Sequence, residues 1–315
     1  MNEADLKLIC PKDGTVLTAD SQAYICPDCN TTYPADEGVI RFLPEVDTFY
    51  EGAYDAQVKF SPKSLSCIHA WPLWLINSGY LWHIRKHLKP GSTLLEMGCG
   101  GGAMFLANYY HTIGCDLSFS SLKKVAGCYQ QCIQADATGR LPFPGSSLDA
   151  IASSFFWEHF YMSDKKKLAH EMYRILRPGG KIIFLYDLAT ENPLISSYRK
   201  RDPEKYKKLF CDGDGHVGYH SLQENIAVFE EAGFSITQSH GIEKTRFQSP
   251  SVYKKLMQYG RGQWWLKPII RLTGNRYLFY VYNTWLRLID ETIGKALPMN
   301  WSRIHLIICR KEKSN

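Results

Sequence analysis

Between residues 96 and 102 the chain reads Glu96-Met97-Gly98-Cys99-Gly100-Gly101-Gly102, a glycine-rich turn closing an apolar run. Glycine lets a backbone turn tightly and approach a ligand closely, and a helix starting just after the turn adds unpaired amides and a positive dipole end. Such a loop suits a nucleotide. Gly98-x-Gly100-x-x-Ala103 also satisfies the dinucleotide fingerprint, with Asp116 eighteen residues past Gly98, where the ribose of a nicotinamide cofactor would need a carboxylate. Asp136-Ala137 offers a second acid, where an exocyclic adenine amine would need an acceptor. His159 and His216 titrate in the range useful for moving a proton near neutrality. His83 and His87 stand four apart, a chelating spacing, but without a neighbouring carboxylate they read as the basic face of a helix.

These residues need elements to position them. Thr93-Leu94-Leu95-Glu96, Thr112-Ile113-Gly114-Cys115-Asp116 and Gln131-Cys132-Ile133-Gln134 read as buried strands, as do Leu148-Asp149-Ala150-Ile151-Ala152-Ser153 and Lys181-Ile182-Ile183-Phe184-Leu185. Before the last of these, Leu168, Met172, Ile175 and Leu176 follow the spacing of a helix face, and Pro178-Gly179-Gly180 stops it. The alternation predicts a parallel sheet with helices on both faces and ligands at the carboxyl ends of its strands. Two late strands, Phe234-Ser235-Ile236-Thr237 and Ile304-His305-Leu306-Ile307-Ile308-Cys309, finish the sheet only at the C-terminus, so the residues between them are an insertion.

From 91 to 185 the order and spacing of these features closely resemble class I S-adenosylmethionine-dependent methyltransferases. The resemblance is carried by the Glu96-to-Gly102 loop, Asp116, Asp136, the stretch from Leu141-Pro142-Phe143 to Asp149, Glu158-His159, and Arg174-Ile175-Leu176-Arg177-Pro178-Gly179-Gly180-Lys181. It is nearest to the branch that includes quinone-biosynthesis and other small-molecule enzymes. It implies an α/β fold, a doubly wound seven-stranded Rossmann-like sheet with an antiparallel C-terminal hairpin. It also implies that Gly98, Gly100 and Gly102 pass under the methionine part of S-adenosylmethionine, with Glu96 shaping the loop. Asp116 would accept from both ribose hydroxyls, Leu117 would line the adenine, Asp136 would accept from its amine, and Ala137 would supply a backbone donor.

Methyl transfer is an in-line displacement from an activated sulfonium, so alignment and exclusion of water supply much of the acceleration. A protonated nucleophile also needs a base. His159 matches a Glu-His pair common in that branch, and His216 lies in a loop that commonly borders the acceptor there. Phe155 and Trp157 are expected to shape the pocket, and Ser221 to cap a helix over 222–232.

Cys10-Pro11-Lys12-Asp13-Gly14 and Cys26-Pro27-Asp28-Cys29 resemble the two knuckles of a zinc ribbon, and 33–44 resembles the segment joining such ribbons to methyltransferase cores. The pattern departs at Asp13, which stands where a fourth cysteine belongs. Either Asp13 completes a structural zinc site with Cys10, Cys26 and Cys29, or the knuckle has lost its metal.

The charge is uneven. From Glu243 to the end there are fourteen Lys/Arg against four Asp/Glu, a balance of +10, so the first 242 residues carry −4 of the overall +6. The region 242–301 interleaves Tyr253, Trp264, Trp265, Tyr282 and Trp285 with Lys254, Lys255, Arg261, Lys267, Arg271 and Arg287. Aromatic anchors beside cations suit an anionic membrane surface, RNA, or a helical cap whose rings face the core.

A 45% hydrophobic and 22% charged composition excludes wholesale disorder. No apolar run approaches the ~20 residues of a membrane span, and the acidic start lacks the marks of a signal peptide. Scattered cysteines argue against a disulfide framework, so the expected location is cytoplasmic, with peripheral membrane contact through 242–301 admitted. The expected organisation is a zinc-ribbon-like module at 1–45, a helical lid or linker at 46–90, a cofactor-binding core at 91–241 and 302–315, and a helical insertion at 242–301. The expected function is methyl transfer from S-adenosylmethionine to a small-molecule or lipid-like acceptor. The alternatives are an RNA base methyltransferase and a cofactor-binding regulator without catalysis.

Overall fold

The protein's structure, a computed structural model, describes residues 6–43, 79–260, 264, 266–272 and 274–312. Most of the expected lid at 46–90, with Tyr50, Tyr54, Trp71 and Trp74, and also Trp265, lies outside the described residues. The described strands are β1 (Thr18–Ala19), β2 (Ala23–Ile25), β3 (Thr32–Asp36), β4 (Val39–Arg41), β5 (Thr93–Met97), β6 (His111–Asp116), β7 (Gln131–Gln134), β8 (Leu148–Ser154), β9 (Leu176–Asp187), β10 (Phe234–Ile242) and β11 (Ile304–Lys311). The helices are α1 (Tyr80–His87), α2 (Met104–Tyr109), α3 (Phe119–Lys123), α4 (Met162–Ile175), α5 (Pro193–Arg201), α6 (Pro203–Tyr206), α7 (Leu222–Glu231), α8 (Pro250–Leu256), α9 (Lys267–Leu272) and α10 (Arg276–Glu291).

The sheet runs β1-β2-β3-β4-β7-β6-β5-β8-β9-β11-β10. Strands β5 to β9 pair in parallel, while β11 lies antiparallel between β9 and β10. The parallel strands carry near-continuous apolar runs because both faces are covered: Leu94, Leu95, Ile113, Ile133, Ile151, Ile182 and Phe184 are all buried. Helix α4 buries Leu168, Ala169, Met172 and Ile175 against this core, each large side chain contributing roughly 1.5–3 kcal/mol at most. It ends at Ile175, short of Pro178, because the residue before a proline is driven out of helical conformation. Ser221 caps α7 through a full capping box with Glu224.

The expected seven strands correspond to β5–β11, and the N-terminal segment extends the sheet rather than standing apart. Val39 to Arg41 pair in parallel with Cys132 to Gln134, covering an edge that would otherwise present unpaired backbone groups. The Ile9 amide donates to the Pro142 carbonyl at 3.0 Å, and Leu8, Leu17 and Tyr33 share one apolar cluster with Ile133 and Phe143.

The residues between β10 and β11 form α8–α10. Val252, Tyr253, Leu256 and Tyr259 pack with Ile195, Tyr206 and Phe210 of the 193–211 segment in a separate apolar cluster. The region is thus a helical cap with part of its aromatic set inside, and Tyr253 is buried. The basic helix face expected at His83 and His87 is not what α1 presents. His83 is buried and its ring lies 4.8 Å from that of His240, because this face of α1 packs on the sheet. Among the described residues no helix is long and apolar enough to cross a membrane.

Candidate functional site

The carboxyl ends of β5, β6, β7, β8 and β9 open into one cavity of about 920 Å3. Each strand end contributes a short segment: Met97 and Gly98, Asp116 and Leu117, Asp136 and Ala137, Phe155 and Phe156, and Asp187. This is where a doubly wound sheet places its ligands, since the crossover helices leave the strand ends uncovered there.

The glycine loop is held in a shape other residues resist. Gly98, Gly100 and Gly102 have φ of 60°, 51° and 65°. A Cβ on Gly98 would stand 2.3 Å from the Phe156 ring, so the ring packs where a side chain on the loop would have to go. The Gly100 amide donates to Asp116 Oδ2 at 2.7 Å, and the Ser118 amide donates to Oδ1 at 2.9 Å. Asp116 therefore ties the loop to the end of β6 while its carboxylate faces the cavity. Asp136 Oδ1 accepts from the Thr138 amide at 2.8 Å and from the Thr138 hydroxyl at 2.9 Å, which fixes that acid at the cavity wall.

Two expected cofactor residues are not in the wall. Glu96 is buried behind the loop, where it accepts from the Tyr129 hydroxyl, and Tyr129 in turn accepts from the Ala103 amide at 2.6 Å. Gly102 faces the same tyrosine, and a Cβ there would lie 2.6 Å from Val125 Cγ1. Glu96 thus shapes the loop from behind, as expected of it, and Gly102 packs against the same segment around Tyr129. Likewise Trp157 is buried away from the cavity, stacked on Phe229 and donating to Asn225 Oδ1 at 2.8 Å; Phe156 takes its expected place beside Phe155.

His159 and His216 both line the cavity, their rings edge-on with centroids 4.9 Å apart. Burial lowers the His159 pKa below its ordinary value, and the carbonyl of Gly215, 3.1 Å from Nδ1, offsets this in part. Burial and the neighbouring His159 push His216 down to about 4. Both rings are therefore neutral near pH 7, the form that accepts a proton.

Sequence reasoning missed the other half of the site. Arg303, next to β11, donates to Asp187 Oδ1 at 2.9 Å and to Glu243 Oε2 at 2.7 Å, and all three line the cavity. Burial raises the Asp187 pKa, with Arg303 opposing. Lys255, Asn283 and Arg287 reach the same wall from α8 and α10. Asp187 had a signal, an acid at the end of a central strand, and Lys255 and Arg287 stood out only as part of the basic insertion; Arg303 and Glu243 had none, because they reach Asp187 from distant sequence.

At the N-terminus, one ligand atom from each of Cys10, Asp13, Cys26 and Cys29 lies within 4.8 Å of the others. Cys10 Sγ and Cys29 Sγ are 3.7 Å apart, and Cys26 Sγ is 3.3 Å from Asp13 Oδ2. Zinc–sulfur bonds of about 2.3 Å at a tetrahedral angle place sulfurs at about this separation.

The family described as a methyltransferase domain matches residues 95–184. Phosphoethanolamine N-methyltransferase 1 of Zea mays is 32% identical over 165 residues, 48% of this chain and 30% of that protein. A probable tRNA methyltransferase 9B of Mus musculus is 32% identical over 131 residues, 39% of this chain and 26% of that protein. A ubiquinone/menaquinone biosynthesis C-methyltransferase of Vibrio cholerae is 27% identical over 181 residues, 49% of this chain and 68% of that protein. The chain thus spans less than a third of the first two relatives' length. Strand order, the glycine loop and the matching family agree over residues 95–184: this stretch carries a methyltransferase domain.

Proposed function

We propose that the chain transfers the methyl group of S-adenosylmethionine to a small-molecule acceptor. The observation that carries this reading is the single cavity into which Gly98, Asp116, Asp136 and His159 open together from four neighbouring strand ends. The residues fit the cofactor. The positive-φ glycines let backbone line the wall where a side chain would collide with Phe156, and Asp116 presents two oxygens suited to a pair of vicinal hydroxyls. Leu117 and Ala137 flank the place for an adenine, with Asp136 beside them as acceptor for its amine. When bound, the cofactor supplies a methyl carbon already activated by its sulfonium.

The remaining work falls to the chain. Phe155, Phe156 and Phe160 exclude water from the middle of the cavity, and His159 accepts the proton that an acceptor loses on methylation. His216 is the second candidate base. Arg303 with Asp187 and Glu243 fixes a charged wall opposite the glycine loop, which selects for a polar group on the acceptor. Near the start of the sequence, Cys10, Asp13, Cys26 and Cys29 would hold a structural zinc ion.

Two finer readings have observations in their favour. Similarity to a tRNA methyltransferase and the basic insertion favour RNA as acceptor. The outer face of α10 is apolar, with Leu278, Val281, Trp285 and Leu288 exposed, which favours contact with a lipid surface carrying a lipid-like acceptor. The deciding experiment is labelled-methyl transfer to cell extract separated into RNA, lipid, protein and small-molecule fractions. Label in the small-molecule fraction is the expected outcome, and no product in any fraction would leave a cofactor-binding regulator. S-adenosylhomocysteine should raise the melting temperature while NAD does not; the reverse would restore the dinucleotide reading.

A further inference from the structure

Glu158, beside the candidate base His159, is fully buried; the backbone amides of Glu158 and Asp187 lie close to its carboxyl, but among the described residues neither oxygen makes a well-formed hydrogen bond. Asp187 and His216 stand next to it, and one ligand atom from each of the three lies within 4.8 Å of the other two. His216 Nδ1 is also buried without a hydrogen-bond partner. Polar groups are rarely left so, because an unsatisfied buried carboxylate costs far more than one that meets a cation.

Most of the cations nearby are engaged elsewhere. Arg303 bonds Asp187 and Glu243, and Lys255 bonds Asp214. Arg287, which enters from α10, is attracted to Glu243 and Asp290, although its Nη1 is buried without a hydrogen-bond partner among the described residues. Lys165 directs its ammonium to the Gly218 carbonyl at 2.8 Å and to Asn225 Oδ1 at 2.9 Å. Among the described residues Glu158 is therefore left without a bonded cation, and burial, with Asp187 beside it, holds its carboxyl well above the ordinary pKa, a cost that a bound cation would relieve.

We propose that Glu158, Asp187 and His216 bind one divalent cation at the acceptor side of the cavity. Two carboxylate oxygens and an imidazole nitrogen are a hard-to-borderline donor set, suited to Mn2+ or a similar first-row ion and not to a soft one. Arg303 and the Tyr219 hydroxyl, which donates to Asp187 Oδ2 at 3.1 Å, orient that carboxylate from outside the cluster, as outer partners of metal ligands do. Asp187 and His216 line the cavity and Glu158 lies behind them, so coordination positions not filled by protein point into the cavity. The acceptor class this selects is a molecule presenting an oxygen donor, such as a phenol, enol or carboxylate. The proposal rests on the reading of this half of the cavity as the acceptor pocket.

The test is Mn2+ binding to the full chain, followed by electron paramagnetic resonance, with S-adenosylhomocysteine affinity measured by calorimetry on the same samples. One tight Mn2+ site is expected in the unsubstituted protein. Glu158→Gln and His216→Ala should each weaken it at least about tenfold while S-adenosylhomocysteine affinity stays unchanged. Cys26→Ser should leave the Mn2+ signal intact, since soft thiolates do not compete for this ion. Absence of Mn2+ uptake, or uptake by both variants equal to that of the parent, overturns the site. If Glu158→Gln does not fold, His216→Ala, in the loop before α7, decides the matter alone. Failure of the unsubstituted protein to bind S-adenosylhomocysteine would instead overturn the cofactor reading, whatever Mn2+ does.

Discussion

Gly98→Ala measures how tightly the glycine loop is built. The position has φ of 60°, and the left-handed region costs an L-residue about 1–2 kcal/mol. A new Cβ would also come within 2.3 Å, 2.7 Å and 2.9 Å of three Phe156 carbons. The collision reaches Phe156 Cγ and Cβ and not only the ring edge, so turning the ring into the cavity does not relieve it without a backbone shift. Forcing it aside is overpacking, worth about 1–3 kcal/mol, for a total of about 2–5 kcal/mol. A double-mutant cycle separates the two parts. In a Phe156→Ala background the collision with the ring disappears and Gly98→Ala should cost little beyond its backbone share, giving a coupling energy of about 1–3 kcal/mol. Urea unfolding of the four proteins reads this directly. A Gly98→Ala protein within about 0.5 kcal/mol of the parent, or a cost that is the same with and without the ring, refutes the account.

The other expectations concern ligands. Asp116→Ala should weaken S-adenosylhomocysteine by about 1–3 kcal/mol, roughly 5- to 150-fold, through loss of charged hydrogen bonds and of the Gly100 tether; unchanged calorimetric affinity would remove the ribose assignment. Burial favours the neutral ring of His159, so kcat/KM should hold through neutrality and fall only as pH drops through a pKa below the ordinary 6.5. Glutamine at 159 should abolish that acid limb, and a limb that survives the substitution assigns the base elsewhere. A strong chelator should release zinc and lower the melting temperature, with Cys26→Ser reproducing the loss; metal analysis finding no zinc in the parent would leave the knuckle as a metal-free turn.

How much of this was legible depends on how local each feature is. The strands β5–β9, the stop of α4 before Pro178 and the Ser221 cap follow from apolar runs, ring constraints and hydrogen bonds between residues a few positions apart. The loop glycines, Asp116, Asp136 and His159 could be located because they sit immediately after those strands. Glu96 and Gly102 share that sequence neighbourhood, yet Tyr129, some thirty residues on, decides that they face inward. Trp157 looked like a pocket residue and turned into the core because Asn225 and Phe229 were waiting for it on α7.

What the amino-acid order alone determined is therefore the alternating fold and the half of the cavity lined by the glycine loop, Asp116 and Asp136, whose residues are held by neighbours in the chain. Tertiary structure decided the half lined by Asp187, Glu243 and Arg303. Arg303 meets Asp187 across 116 residues and Glu243 across 60, and Lys255 enters from an insertion whose helices close over the strand ends. No periodicity or spacing marks such a pair. Charges so far apart in sequence are brought together only by the burial of the apolar surfaces that carry them, and that burial is a property of the whole packed sheet and its cap.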